Sequence, residues 1–102
     1  MIIIGRIKEN NGPDFPTLRS LIGKPIEDKA RVLQYMKNAP VISAAAASMK
    51  DVLTDQYTGR ELLVHADGKF LWRSDVTYYV EKYDMELPAE FVKHIIEATR
   101  QP

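Results

Sequence analysis

Around Asp67-Gly68 the chain has little choice but to double back. Glu61-Leu62-Leu63-Val64-His65-Ala66 precedes this dipeptide and Lys69-Phe70-Leu71-Trp72-Arg73 follows it. Asp-Gly supplies the positive-φ residues of a tight reversal, and strand-forming residues flank it on both sides. The segment predicts a β-hairpin with a two-residue turn. In that register Ala66 faces Lys69, His65 faces Phe70 and Leu63 faces Trp72, which puts Leu63, His65, Phe70 and Trp72 on one face. An isolated hairpin is marginal in water, so a third strand or packed helices must cover that face.

The covering elements are legible from periodicity. Pro25 is a good first-turn residue, acidic Glu27-Asp28 follows it, and Ile26, Ala30, Leu33 and Met36 recur at helical spacing, predicting a helix over about 26–38. Ser74-Asp75 reads as the cap and acidic first turn of a second helix over about 75–83, with Val76, Tyr79, Val80 and Tyr83 along one side and Tyr78 pointing elsewhere. Pro88 opens a third helix over about 88–100, striped by Phe91, Val92, Ile95, Ile96 and Thr99. Ile2, Ile3, Ile4 and Ile7 read as a first strand or an N-terminal arm. Glu9 to Pro16 concentrates turn formers and two prolines and is expected to be a loop. Thr17 to Ile22 suits a helical turn or two, with Leu18, Leu21 and Ile22 inward. Val41–Met49 is ambiguous, since Ala44–Ala47 favours helix and Val41-Ile42-Ser43 favours strand; an extended start is expected. Asp51 to Gly59 reads as a polar, turn-prone connection. The expectation is an α+β fold, a small antiparallel sheet built on the hairpin at about 61–73 with three or more packed helices, in a single domain spanning residues 1–102.

Composition narrows the chemistry. The 102 residues contain no cysteine, which excludes a disulfide scaffold, a thiol nucleophile and thiolate metal ligation. Fourteen basic residues balance fourteen acidic ones, so the chain as a whole exerts no long-range pull on nucleic acid or an acidic membrane. The balance is uneven: residues 1–50 hold eight Lys/Arg and four Asp/Glu, residues 51–102 six and ten, leaving the halves at +4 and −4. The apolar run Met1–Ile4 stops at Gly5-Arg6, too short for a secretory leader, and nothing later approaches the roughly 20 apolar residues of a membrane span. The cytoplasm is the expected compartment.

No catalytic, cofactor or metal site is expected. His65-x-Asp67 offers two ligands where a protein zinc site needs three or four, and nothing in the sequence brings His94 near them. Serines 20, 43, 48 and 74 lack the Gly-x-Ser-x-Gly setting of an exposed nucleophile, and the five scattered glycines form no phosphate loop. Phe70, Trp72, Tyr78, Tyr79 and Tyr83 are five of the nine aromatics; in a core they are simply buried area, and on a surface they are interface anchors. Their acidic neighbours Asp67, Asp75, Glu81, Asp84 and Glu86 repel phosphate and favour a protein partner.

The stretch from Ala66 through Tyr83, with Leu87-Pro88-Ala89-Glu90-Phe91 and His94 after it, resembles a set of small bacterial proteins. They share Asp-Gly, aromatic-x-Trp, a Tyr-Tyr helix, a further Tyr and Leu-Pro-x-Glu-Phe. The resemblance spans roughly Val32 to Ile96; this chain has Phe70 and Ser74 where tryptophan and proline are frequent. Such proteins resemble immunity proteins of contact-dependent or polymorphic toxin systems. The resemblance implies inhibition by contact: the domain blocks the active site of a cognate protein toxin, a ribonuclease or other nuclease among the expected types, without cofactor or metal. An acidic surface would suit a nuclease's basic channel. The expected contact residues are Asp51, Asp55, Glu61, Asp67, Asp75 and Tyr78. Two alternatives stay open: a small adaptor or regulatory domain with a non-toxin partner, and a weak nucleic-acid binder using Arg6, Lys8, Arg19, Lys24, Lys29 and Arg31.

Overall fold

The computed structural model of the protein describes residues 1–100. Its elements in chain order are β1 (Ile2–Ile4), α1 (Lys8–Asn11), α2 (Leu18–Leu21), α3 (Lys29–Asn38), β2 (Val41–Asp51), β3 (Gln56–Ala66), β4 (Phe70–Arg73), α4 (Ser74–Tyr83) and α5 (Ala89–Ala98). One four-stranded sheet runs in the order β1-β4-β3-β2. The fold is α+β. The β2–β3 and β3–β4 pairs are antiparallel, whereas β1 adds to β4 in parallel, with Ile2 beside Phe70 and Ile4 beside Trp72. The sheet is therefore mixed at one edge.

The hairpin forms, one residue out of the expected turn. His65 pairs with Trp72 and Ala66 with Leu71, and the Asp67 N–H donates to the Phe70 carbonyl at 3.1 Å. The loop residues are thus Gly68 and Lys69. The cause is the Asp67 side chain, whose Oδ1 accepts from the N–H groups of Lys69 at 2.9 Å and Phe70 at 2.7 Å; this local bond fixes Asp67 as the residue before the turn. Gly68 takes the left-handed position, at φ +97°. The shift preserves which side chains share a face.

That face carries the core. Phe70 and Trp72 are fully buried with Ile4, Ile7, Leu18, Val32, Met36, Val80, Phe91 and Ile95. Phe91 from α5 packs on both rings, 5.0 Å from Phe70 and 5.1 Å from Trp72 between centroids, close enough for tilted aromatic attraction beyond area burial. Tyr35 from α3 lies 6.3 Å from Trp72.

Four local expectations are corrected. The helix expected from residue 26 starts at Lys29, because Asp28 takes the left-handed conformation, φ 52°, and breaks any earlier turn; Gly23 and Lys24 instead donate backbone hydrogen bonds to Tyr83 and Asp84. The loop over 9–16 contains most of a one-turn helix, α1, that ends before Gly12 and Pro13. Ser74 caps no helix; its hydroxyl accepts from the Leu63 N–H and donates to the Glu61 carbonyl, tying α4 to β3. The connection expected over 51–59 shrinks to a tight turn, because Gln56–Gly59 already belong to β3.

Candidate functional site

The six expected contact residues part into two kinds. Asp51 closes β2 and is buried. Its Oδ1 accepts from the N–H groups of Leu53 at 2.9 Å and Thr54 at 3.2 Å, and its Oδ2 accepts from the hydroxyls of Tyr83 at 2.6 Å and Tyr78 at 2.7 Å. Burial alone would raise this carboxyl, but the four donors outweigh it and hold the group below its ordinary value. Tyr78 is thereby half-buried against Asp51, and the Asp55 N–H donates to the Asp51 carbonyl at 2.8 Å, so Asp51 is in contact with two of the other five. Asp75 is buried beside Arg73 Nη2 at 2.8 Å and Asn10 Nδ2 at 3.4 Å; burial pushes its carboxyl up, only partly offset by Arg73.

Asp67 is also turned inward, its side chain 7% exposed. Besides fixing the hairpin turn through Oδ1, it accepts on Oδ2 from the Tyr35 hydroxyl at 2.5 Å and His94 Nε2 at 2.9 Å. A carboxylate only accepts, so Nε2 carries the proton that points at it. The Tyr35–Asp67–His94 cluster joins α3, the β3–β4 turn and α5 at the border of a cleft of about 740 Å³ lined by Arg31, Gln34, Tyr35, Asn38, Asp67 and Thr99 among others. Sequence reasoning missed it, because three elements distant along the chain supply one residue each. The phenol already donates to the carboxylate, so what the trio does is tie the elements together.

Asp55 and Glu61 alone among the six keep exposed carboxylates, and Asp55 is paired with Lys50 at 2.7 Å. The six residues therefore form no continuous acidic, aromatic surface.

An unpartnered feature among the described residues is the strand that sequence reasoning left ambiguous. β2 is an end strand, so its outer row of backbone N–H and C=O groups faces away from the sheet. Every residue from Val41 through Ser48 is exposed, with Val41 at 51% and Ile42 at 54%. Ala44 pairs with Leu63 and Ser48 with Glu61, so Ala45, Ala46 and Ala47 oppose only Leu62 and the strand bulges there. A bulge in β3 around Gly59, at φ +81°, offsets it. The paired strands then end in a turn clamped by α4: Tyr79 donates its hydroxyl to the Lys50 carbonyl at 3.0 Å and accepts from the Val52 N–H at 3.2 Å. The result is a rigidly based edge of small, uncharged side chains.

Among the described residues, no three His, Asp or Glu side chains converge on a point that would hold a metal ion, and no helix is long and apolar enough to cross a membrane. No family model, curated protein or solved structure matches the chain.

Proposed function

We propose that this domain acts by binding and blocking a partner protein, and that the partner is the toxin for which it provides immunity. The observation that carries the reading is the open edge of β2 over Val41–Ser48. An end strand with bare backbone groups and small side chains accepts an extended segment of another protein, main-chain hydrogen bonds supplying affinity and neighbouring side chains selectivity. Natural sheets usually guard such an edge with lysine, proline, an inward charge or a bulge; here Pro40 stands just before it and Lys50 near its end, the eight exposed residues between carry no lysine, proline or charge, and the bulge at Ala45–Ala47 is the one such device within them. The resemblance of Ala66–Tyr83 and Leu87–Phe91 to proteins that look like immunity proteins is what suggests a toxin as the partner. It falls mainly on the hairpin turn, the aromatic core and the tyrosine clamp, the parts that support the edge. Asp55 and Glu61, exposed on the same two-stranded arm, would meet cations around a nuclease channel.

The test is co-expression with whatever toxin domain is found encoded beside this gene. Wild-type protein is expected to rescue growth, and Ala45→Lys/Ala47→Lys, which puts two charges on the edge, to lose the rescue while keeping its circular dichroism and buried tryptophan fluorescence. Full rescue by the charged variant, or none by the wild type, would overturn the reading.

A further inference from the structure

Beneath the β2–β3 pair, on the side facing the helices, lies a recess of about 530 Å³ between Met49 of β2, Leu63 and His65 of β3, and Thr77 and Tyr78 of α4, with Lys37 and Arg60 at its rim. The size is that of a small-molecule site, and the walls are mainly a thioether, an isobutyl group and a phenol ring. Two polar side chains distinguish it from a packing defect.

Thr77 is 5% exposed, and its hydroxyl has no hydrogen-bond partner in the protein. Buried hydroxyls are nearly always paired, so this one marks a place where a further group belongs. The other is His65, also buried. Its Nδ1 lies 2.9 Å from the Ala39 carbonyl; a carbonyl only accepts, so Nδ1 bears the proton and, in the neutral ring, Nε2 is a bare acceptor. Among the described residues no donor reaches it. The imidazole is also held flat against Trp72, 6.1 Å between centroids and 4° between planes, so its orientation is fixed before anything binds.

Ser74 and Glu61 complete the lining, the Ser74 hydroxyl bonded at both ends to β3 and the Glu61 side chain exposed, so the recess presents one fixed acceptor, one hydroxyl able to donate, and otherwise mainly apolar walls. Its rim cations are already engaged, Lys37 with Glu81 at 2.6 Å and Arg60 with the same carboxylate at 3.9 Å, so nothing in it calls for an anion. We propose that this recess binds a neutral phenol, whose O–H donates to His65 Nε2 and whose oxygen accepts from Thr77, the ring lying between Met49, Leu63 and Tyr78. A flat ring suits these walls, and methionine sulfur against an aromatic edge adds to the contact. Free phenolic molecules and a tyrosine side chain of a bound protein share this chemistry. The proposal stands apart from the use of the β2 edge: either can fail alone.

The experiment is a titration of the full chain with p-cresol, followed by the ¹⁵N shift of His65 Nε2 and the methyl resonance of Thr77, with toluene as the control lacking the hydroxyl. p-Cresol is expected to move both signals and to bind about tenfold more tightly than toluene, the worth of a net hydrogen bond. Thr77→Val removes the unpaired hydroxyl while keeping its shape; the variant is expected to be no less stable than wild type and to lose the preference for p-cresol. N-acetyl-tyrosine amide separates the sources: tighter binding than p-cresol assigns the recess to a partner's tyrosine, weaker binding to a free phenol. Equal shifts with toluene and p-cresol, an unchanged preference in Thr77→Val, or no response at His65 would overturn the proposal.

Discussion

Asp67 holds three elements in register. One carboxylate serves two backbone N–H groups of the turn, the Tyr35 phenol and the His94 imidazole. Burial acts to raise this carboxyl, but the donors outweigh it, Tyr35 foremost, and bring it to about 2, against an ordinary 3.8. Tyr35 answers in the opposite sense: burial, then its bond to Asp67, pushes the phenol well above its ordinary range. A depressed carboxyl contributes stability above its unfolded value and loses it as pH falls through the folded one. Asp67→Asn is therefore expected to cost about 2 kcal/mol at neutral pH, the deficit closing as pH drops from about 4 to about 2. Urea unfolding followed by Trp72 fluorescence at several pH values measures it; a deficit constant down to about pH 2 would refute the assignment. Asp75 runs the other way. Its raised value means that ionising it as pH rises works against the fold. Asp67 was legible as a turn residue, but not as a clasp, since nothing local announces that Tyr35 and His94 converge on it.

At the scale of elements, α4 governs the arm. Tyr78, Tyr79 and Tyr83 all direct hydroxyls at the Lys50–Val52 segment, and Tyr79, fully buried, both donates and accepts there. Burial pushes the Tyr79 phenol up to about 12. Tyr79→Phe strands a carbonyl and an N–H at the turn, for an expected loss of about 1–3 kcal/mol. Hydrogen exchange at Val52 is expected to speed up more than exchange in α5; equal effects would argue against a local clamp. The helical spacing in the sequence found α4, and it set Tyr78 apart from the inward row. It did not find the clamp, because a periodic pattern reports which side of a helix is covered and not what covers it. The same gap explains β2. Ala44–Ala47 reads as helix by propensity, and the pairing with β3 overrides it, a tertiary choice that no window of residues contains.

At the scale of the whole molecule, the first strand is locked to the second half of the chain by close contact. Gly5 follows β1 at φ +84°, and a Cβ placed on it would lie 2.5 Å from Val76 Cγ2 and 2.7 Å from Cγ1. Val76 is buried and β-branched on a helix, so it has nowhere to turn. Gly5→Ala combines left-handed backbone strain with overpacking, for an expected loss of about 2–4 kcal/mol; chemical denaturation measures it, and a loss below about 1 kcal/mol would show that the contact yields. In the sequence this glycine reads only as an interruption of an isoleucine run. The hairpin, three longer helices and the α+β class follow from local patterns. The parallel docking of Ile2–Ile4 on Phe70–Trp72 does not, since its two halves lie at opposite reaches of the chain.

That docking gives the first four residues a guarding duty. β4 carries two fully buried rings, Phe70 and Trp72, and among the described residues β1 is the strand that pairs along its far side. A version beginning at Gly5 would leave the spine of the core open to any extended peptide nearby, inviting precipitation. Tags and fusions at the amino terminus should therefore leave Ile2–Ile4 intact and be joined through a linker that lets them lie flat.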